Sequence, residues 1–125
     1  MSAEDWSPSD LPAVSYIRVA PTTTDEAGDV ERQRAQIALA AHRLGLRMAD
    51  EFVDVGYSGL SMDRPDLRRL LDHVAANRVG FCVLATRDRL SEDPEDMADI
   101  DEALDDALVA IVVAADHIGP DRDGG

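Results

Sequence analysis

Apolar positions along this chain follow two periods, one close to two residues and one close to 3.6. Residues 13–19 are rich in β-branched and aromatic types and predict a short strand that Pro21 stops. Residues 20–28, with Pro21 and three threonines, read as a loop in which Gly28 precedes a helix start. Asp29 offers an N-cap for a helix reaching Leu44. Its apolar positions Val30, Ile37, Ala41 and Leu44 fall on one face, and Gly45 suits the left-handed residue after its end. Residues 47–53 predict a second strand, and residues 54–62, with Gly56, Ser58 and Gly59, a flexible loop. Pro65 suits the first position of a helix, with Leu67, Leu70, Leu71 and Val74 at i, i+3, i+4 and i+7. The apolar run at 81–85 is short enough to be a strand buried on both faces. Asp93 and Pro94 then open a third helix as N-cap and first residue, with Met97, Ile100, Leu104 and Ala107 facing inward. Residues 109–115 predict a fourth strand.

The order β-α-β-α-β-α-β, without internal repeat, implies an α/β fold: a three-layer domain with a parallel sheet of about four strands and helices on both faces. The domain is expected over residues 12–118. Loose ends are expected at 1–11, which mix Ser, Asp, Glu and Pro, and at 119–125; Trp6 has nothing in the sequence to fix it. Functional groups in such sheets gather at the carboxyl ends of the strands. Arg18 and Ala20 lie at the end of the first strand, and Asp88 and Arg89 just past the third. The fold pattern alone thus brings both stretches to one edge.

Composition changes this picture in two ways. The single cysteine, Cys82, excludes an internal disulfide and sits in an apolar run, where a buried small hydrophobe is expected. No signal peptide or membrane-length apolar stretch is visible, so a cytoplasmic protein is expected. The net charge of −14 argues against DNA binding by this chain alone, because phosphate neutralisation by basic residues supplies most non-specific affinity. The acid is concentrated: of residues 88–106, ten are Asp or Glu and only Arg89 is basic, whereas residues 32–47 hold four arginines and no acid. Solvated helix faces account for such asymmetry without any partner. His42, His73 and His117 are too scattered to form a metal site, no Gly-rich phosphate loop is present, and no cofactor is implied.

Two stretches carry chemistry: Tyr16-Ile17-Arg18-Val19-Ala20 and Asp88-Arg89-Leu90-Ser91-Glu92. With Glu31-Arg32-Gln33, Asp54-Val55-Gly56-Tyr57-Ser58-Gly59 and Asp63-Arg64-Pro65-Asp66-Leu67, in this order and at these spacings, the chain resembles the catalytic domain of serine recombinases, the resolvase and invertase family. The resemblance covers residues 13–118. It implies an enzyme whose serine attacks a DNA phosphodiester and forms a covalent phosphoserine link. Such phosphoryl transfer relies on positioning and on stabilising charge on the non-bridging oxygens. It further implies that Arg18, Arg64 and Arg89 match phosphate-binding or activating arginines, and that Asp88 matches a carboxylate near the leaving group. Outside that context the same residues would read as surface ion pairs or helix-terminal charges.

Two departures oppose activity. The family's nucleophile position is Ala20, which has no hydroxyl. Ser15 falls on the other face of the strand, and Thr22, Thr23 and Thr24 lie beyond Pro21 and would need a shifted loop. Removing a catalytic serine from a hydrolase costs on the order of a millionfold, and strand exchange, which needs the covalent link, should be lost entirely. The second departure is Glu92, where the family's Asp-Arg-Leu-x-Arg pattern has its last arginine. Each charge is worth about 4 kcal/mol at 4 Å and an effective dielectric of 20, so this reversal opposes a phosphate by several kcal/mol. The resemblance also leads one to expect a long helix and a DNA-binding domain, and the chain shows neither a helix-turn-helix nor a basic arm. The expectation is a non-catalytic recombinase-like domain that binds another protein, a full-length serine recombinase in a mixed dimer being one route. The alternative is a divergent DNA recombinase performing strand cleavage and exchange with a partner subunit. A mobile-element remnant without a present role is a third reading.

Overall fold

The structure, a computed structural model, describes residues 10–118. Trp6, all but the last two residues of the loose end expected at 1–11, and the end expected at 119–125 lie outside the described residues.

Four parallel strands, β1 (Pro12–Val19), β2 (Arg47–Val55), β3 (Phe81–Leu84) and β4 (Ala110–Val113), form one sheet in the order β2-β1-β3-β4. Three helices connect them: α1 (Glu26–Leu44), α2 (Pro65–Ala76) and α3 (Pro94–Asp106). Alternation along β1 sorts its side chains between two cores. Ala13, Ile17 and Val19 pack with Ile37 of α1 and Val83 of β3 on one face. Val14 and Tyr16 pack with Phe52, Leu67, Leu70, Ile100 and Leu104 on the other, under α2 and α3. Helices therefore cover both faces, as the element order predicts. Cys82, at 0% exposure, belongs to the second of these cores, and burial pushes its thiol pKa up to about 12.

Three boundaries and the burial of one residue differ from the pattern-based expectation. The first helix begins at Glu26, one turn early, because the Asp25 side chain caps it by accepting from the Gly28 amide at 3.0 Å. Asp29 is thus inside the helix rather than its cap. Leu44, expected on the buried face, is 39% exposed, because the helix ends there and Gly45 turns the chain at φ +70°. The second strand runs on to Val55, since Arg18 and Val19 continue to pair with Asp54 and Val55. Asp54 is therefore a strand residue. The last strand is shorter than its apolar run: Ala114–Asp116 form a 3-10 turn.

Chain order places the first two connections on opposite sides of β1. The chain leaves β1 for β2 at one edge and returns across the sheet to β3, so the switch point of the sheet lies between the carboxyl ends of β1 and β3. Such a crevice is where open α/β sheets bind ligands.

Candidate functional site

Central β1 carries Arg18 out to that crevice, and a 3-10 turn at Arg87–Arg89 carries Asp88 and Arg89 to it from the end of β3. The loop from Gly56 to Arg64, between β2 and α2, closes the third side. Arg18 and Arg64, each 1% exposed, are the largest fully buried side chains. Burying two guanidinium groups demands hydrogen bonds for their N–H groups. Arg18 donates from Nε to the Arg89 carbonyl (3.0 Å), from Nη1 to the Tyr57 carbonyl (3.2 Å), and from Nη2 to the Asp88 carbonyl and Glu92 Oε2 (2.8 Å each). Arg64 donates from Nε to the Ser61 carbonyl (2.9 Å), from Nη1 to the Tyr16 hydroxyl (3.2 Å) and Arg89 carbonyl (3.3 Å), and from Nη2 to the Leu90 carbonyl (2.5 Å). Three successive carbonyls, of residues 88, 89 and 90, are thus held by two inward-pointing arginines. The turn after β3 is pinned by its backbone, so its shape does not depend on the identity of its exposed side chains.

Carboxylates balance the two cations. Glu92, with a side chain 45% exposed, reaches in from the solvent side to pair with Arg18. Asp54, 2% exposed, lies deeper: its Oδ2 accepts from the Tyr16 hydroxyl (2.7 Å) and the Leu67 amide (3.0 Å), its Oδ1 from the Asp66 amide (2.9 Å). Asp54 therefore caps α2 from the end of β2, a role that neither its neighbours nor its spacing announces. Asp66 answers by accepting from the Val53 amide at 2.8 Å. The Tyr16 hydroxyl links the two halves, donating to Asp54 and accepting from Arg64. Its pKa is raised, first by burial and next by the hydrogen bond to Asp54.

The six residues singled out in the sequence thus gather around one crevice, in different states. Arg18 and Arg64 are internal. Ala20 is partly buried just beyond β1, and presents a methyl group where the resemblance puts a nucleophile. Arg89 is partly exposed; its Nη1 donates to the Arg18 carbonyl at 3.2 Å and lies 3.8 Å from Asp29 Oδ2. Asp88 is exposed, and its carboxylate accepts from the Thr86 hydroxyl, directed back along its own turn. Glu92 is on Arg18. Sequence reasoning overlooked Asp29 and Gln33, which line α1 beside the crevice. Gln33 is 2% exposed and its Nε2 donates to the Arg18 carbonyl (2.9 Å) and to Asp29 Oδ2 (3.2 Å). The string Glu31-Arg32-Gln33 contained it, and the only available signal was a polar residue four before Ile37 on the buried face. Gly59 was seen only as a loop glycine. It packs directly on the ion pair, since a Cβ there would lie 2.6 Å from Arg18 Nη2 and 2.8 Å from Glu92 Cγ.

Among the described residues, no group of three or more His, Cys, Asp or Glu is placed to hold a metal ion. Nor is any helix long and apolar enough to cross a membrane. Chemically, the crevice offers buried positive charge already satisfied by backbone carbonyls and one carboxylate, and at Ala20 no group able to attack.

Comparison with known proteins agrees with the geometry. The family model described as "Resolvase, N terminal domain" matches residues 13–125. The C-terminal catalytic domain of ISC1926 TnpA, an IS607-like serine recombinase, is 28% identical, with 83% of this chain and 70% of that one covered and a TM-score of 0.74. The corresponding domain of IS1535 TnpA, also an IS607-like serine recombinase, is 35% identical over 81% of this chain and 69% of that one, with a TM-score of 0.64. The N-terminal catalytic domain of TP901-1 integrase is 19% identical over 86% of this chain and 79% of that one, at a TM-score of 0.74, a likeness of fold. No curated protein matches the chain.

Proposed function

Since the chain belongs to the resolvase N-terminal domain family of serine recombinases, we propose that it is a member that does not cut DNA and that acts by binding another protein, a full-length serine recombinase in a mixed dimer being the partner class. One observation carries the reading: Glu92 occupies Arg18 at 2.8 Å while Ala20 supplies no hydroxyl at the end of β1. The two changes act on separate requirements. Covalent phosphoryl transfer needs a nucleophile, and a scissile phosphate needs uncompensated positive charge. Ala20 does not meet the first, and the Glu92 carboxylate on Arg18 opposes the second.

The fold itself is unharmed. Both cores are packed, and the buried arginines are hydrogen-bonded, so the domain keeps the fold of its relatives. Intact shape with a disabled centre fits a role in which surfaces matter and chemistry does not. The negative charge is consistent with a protein partner, since DNA would be repelled on average. Recovering the tagged protein from its native host and identifying its companions by mass spectrometry tests the reading. An intact serine recombinase in the complex is the expected result; no companion above background would contradict it.

A further inference from the structure

We infer that the free edge of β4, with the acidic end of α3 beside it, is a docking groove for an extended, lysine- or arginine-bearing segment of a protein partner, which joins the sheet as a fifth strand. The inference rests on the protein-binding reading above and gives that partner its chemistry.

Of the two edges of this four-stranded sheet, β2 is guarded and β4 is not. β2 carries Arg47, Asp50 and Glu51, and its register with β1 shifts at Ala13/Val14. Charged side chains and bulges are the usual means of keeping foreign strands off an edge. β4 has neither: it reads Ala110-Ile111-Val112-Val113, in unbroken register with β3 and hydrogen-bonded to β3 alone. The Ala110 amide donates inward to the Gly80 carbonyl at 2.9 Å, so the alternation of a strand turns the amides of Ile111 and Val113 outward.

A groove of about 630 Å³ lies between that edge and α3. Leu104, Val109 and Ile111 give it an apolar part, and Asp101, Glu102 and Asp105 an acidic one. Side chains of an added strand alternate between the two faces of the sheet, so every second one would enter the groove. Lysine and arginine suit it along their whole length: the aliphatic stem covers apolar surface while the charged head reaches a carboxylate.

Charge decides the occupant. Asp101 is paired with Arg87 at 2.7 Å, but among the described residues the Glu102 and Asp105 carboxylates have no hydrogen-bond or ion-pair partner. They stand where α3 ends, and its last turn contains no basic residue. A helix C-terminus carries partial negative charge, so carboxylates there are misplaced until a cation joins them. A second copy of this chain, at net charge −14, is a poor source of that cation, and a basic segment supplies it. An extended segment also pairs with the outward backbone of β4, which a helix cannot do.

Amide NMR of the wild type, titrated with a capped peptide of alternating lysine and valine, tests this. The control peptide has the same charge, with proline in place of valine, and so cannot pair as a strand. The expected result is a shift and slowed hydrogen exchange of the Ile111 and Val113 amides. Affinity is expected to fall about tenfold for the proline peptide, and about tenfold for the lysine-valine peptide with the double variant Glu102→Gln/Asp105→Asn. The double variant Asp63→Asn/Asp72→Asn changes the charge equally outside the groove, and should bind as the wild type does. Equal binding of the two peptides, or equal weakening by the two double variants, would overturn the inference and leave a general attraction of cations to an acidic protein. Slow exchange of both amides without peptide would also overturn it, assigning the edge to this chain if independent of protein concentration and to a second copy if not. Recovery from the host separates this inference from the reading beneath it. A recombinase companion without peptide binding at β4 sustains the reading and overturns the groove; peptide binding without any companion does the reverse.

Discussion

Asp54 ties β1, β2 and α2 together through one side chain. It is buried, holds the first two free amides of α2 inside Pro65, and accepts from Tyr16, which in turn accepts from Arg64. Truncating it leaves the buried Tyr16 hydroxyl and the Asp66 and Leu67 amides without their acceptor, and each such loss costs about 1–3 kcal/mol. Tyr16→Phe removes one neutral donor and is expected to lower stability by about 1–2 kcal/mol. Urea unfolding of the two variants checks the order; an Asp54→Ala protein as stable as Tyr16→Phe would show that the cap is dispensable. Gly59→Ala is expected to destabilise by about 1–3 kcal/mol, because its methyl group must push the loop off Arg18 and Glu92. Combined with Glu92→Ala, whose shorter side chain yields the space, its effect should fall well below the sum of the two. An additive pair would mean that the loop does not rest on the ion pair. Cys82 makes a fourth test. With its thiol buried and its pKa pushed up to about 12, it should react with a thiol reagent at pH 8 only as fast as the protein unfolds. Reaction at the rate of a free thiol would place it at the surface.

At the scale of elements, periodicity in the sequence was a good guide wherever a boundary is set by local chemistry. Pro65 and the Asp93-Pro94 pair start α2 and α3 where expected, because proline at the first position and an aspartate cap act within a few residues. Boundaries set from a distance were not legible. Asp54 looks like a loop residue, since nothing nearby shows that it will cap a helix twelve residues on. Glu26 follows a run of loop-forming residues, and Gly28 hides that Asp25 caps the turn containing it. The same distinction governs the site. Arg18, Ala20, Asp88 and Arg89 could be placed at one sheet edge from the order of strands, but the pairing within the site could not. Glu92 on Arg18 spans 74 positions and depends on a glycine in a third segment. One pairing between elements has a pH signature. Arg34 of α1 donates to both oxygens of Glu51 on the edge strand β2, and this hydrogen bonding holds the Glu51 carboxyl below its usual range. A carboxyl lowered in the folded state stabilises at pH values above its ordinary pKa, and that contribution disappears as pH falls through the lowered value. The stability gap between wild type and Glu51→Gln should therefore be present at pH 7 and close on acidification below about pH 4. A gap unchanged at pH 3 would assign the difference to packing.

For the whole molecule, charge and architecture pull apart. The fold is that of enzymes that handle DNA, while the net charge is −14 and α3 carries a row of exposed acids. Helix packing explains how the acids are tolerated: Ile100 and Leu104 hold α3 against the sheet, so its charged face lies outward, and Arg87 takes up Asp101 at 2.7 Å. Such a surface lowers the rate of encounter with a polyanion and favours basic partners. Together with a crevice whose cation is already paired, it fits the proposed reading of a recombinase-family domain that does not cut DNA. The decisive measurement is covalent capture: purified protein incubated with supercoiled plasmid, quenched in denaturant, and resolved for nicked or protein-linked DNA. No nick and no adduct is the predicted result. A protein-DNA adduct, above all one abolished by substituting Thr22, Thr23 or Thr24, would contradict the account and make the chain a recombinase with a displaced nucleophile.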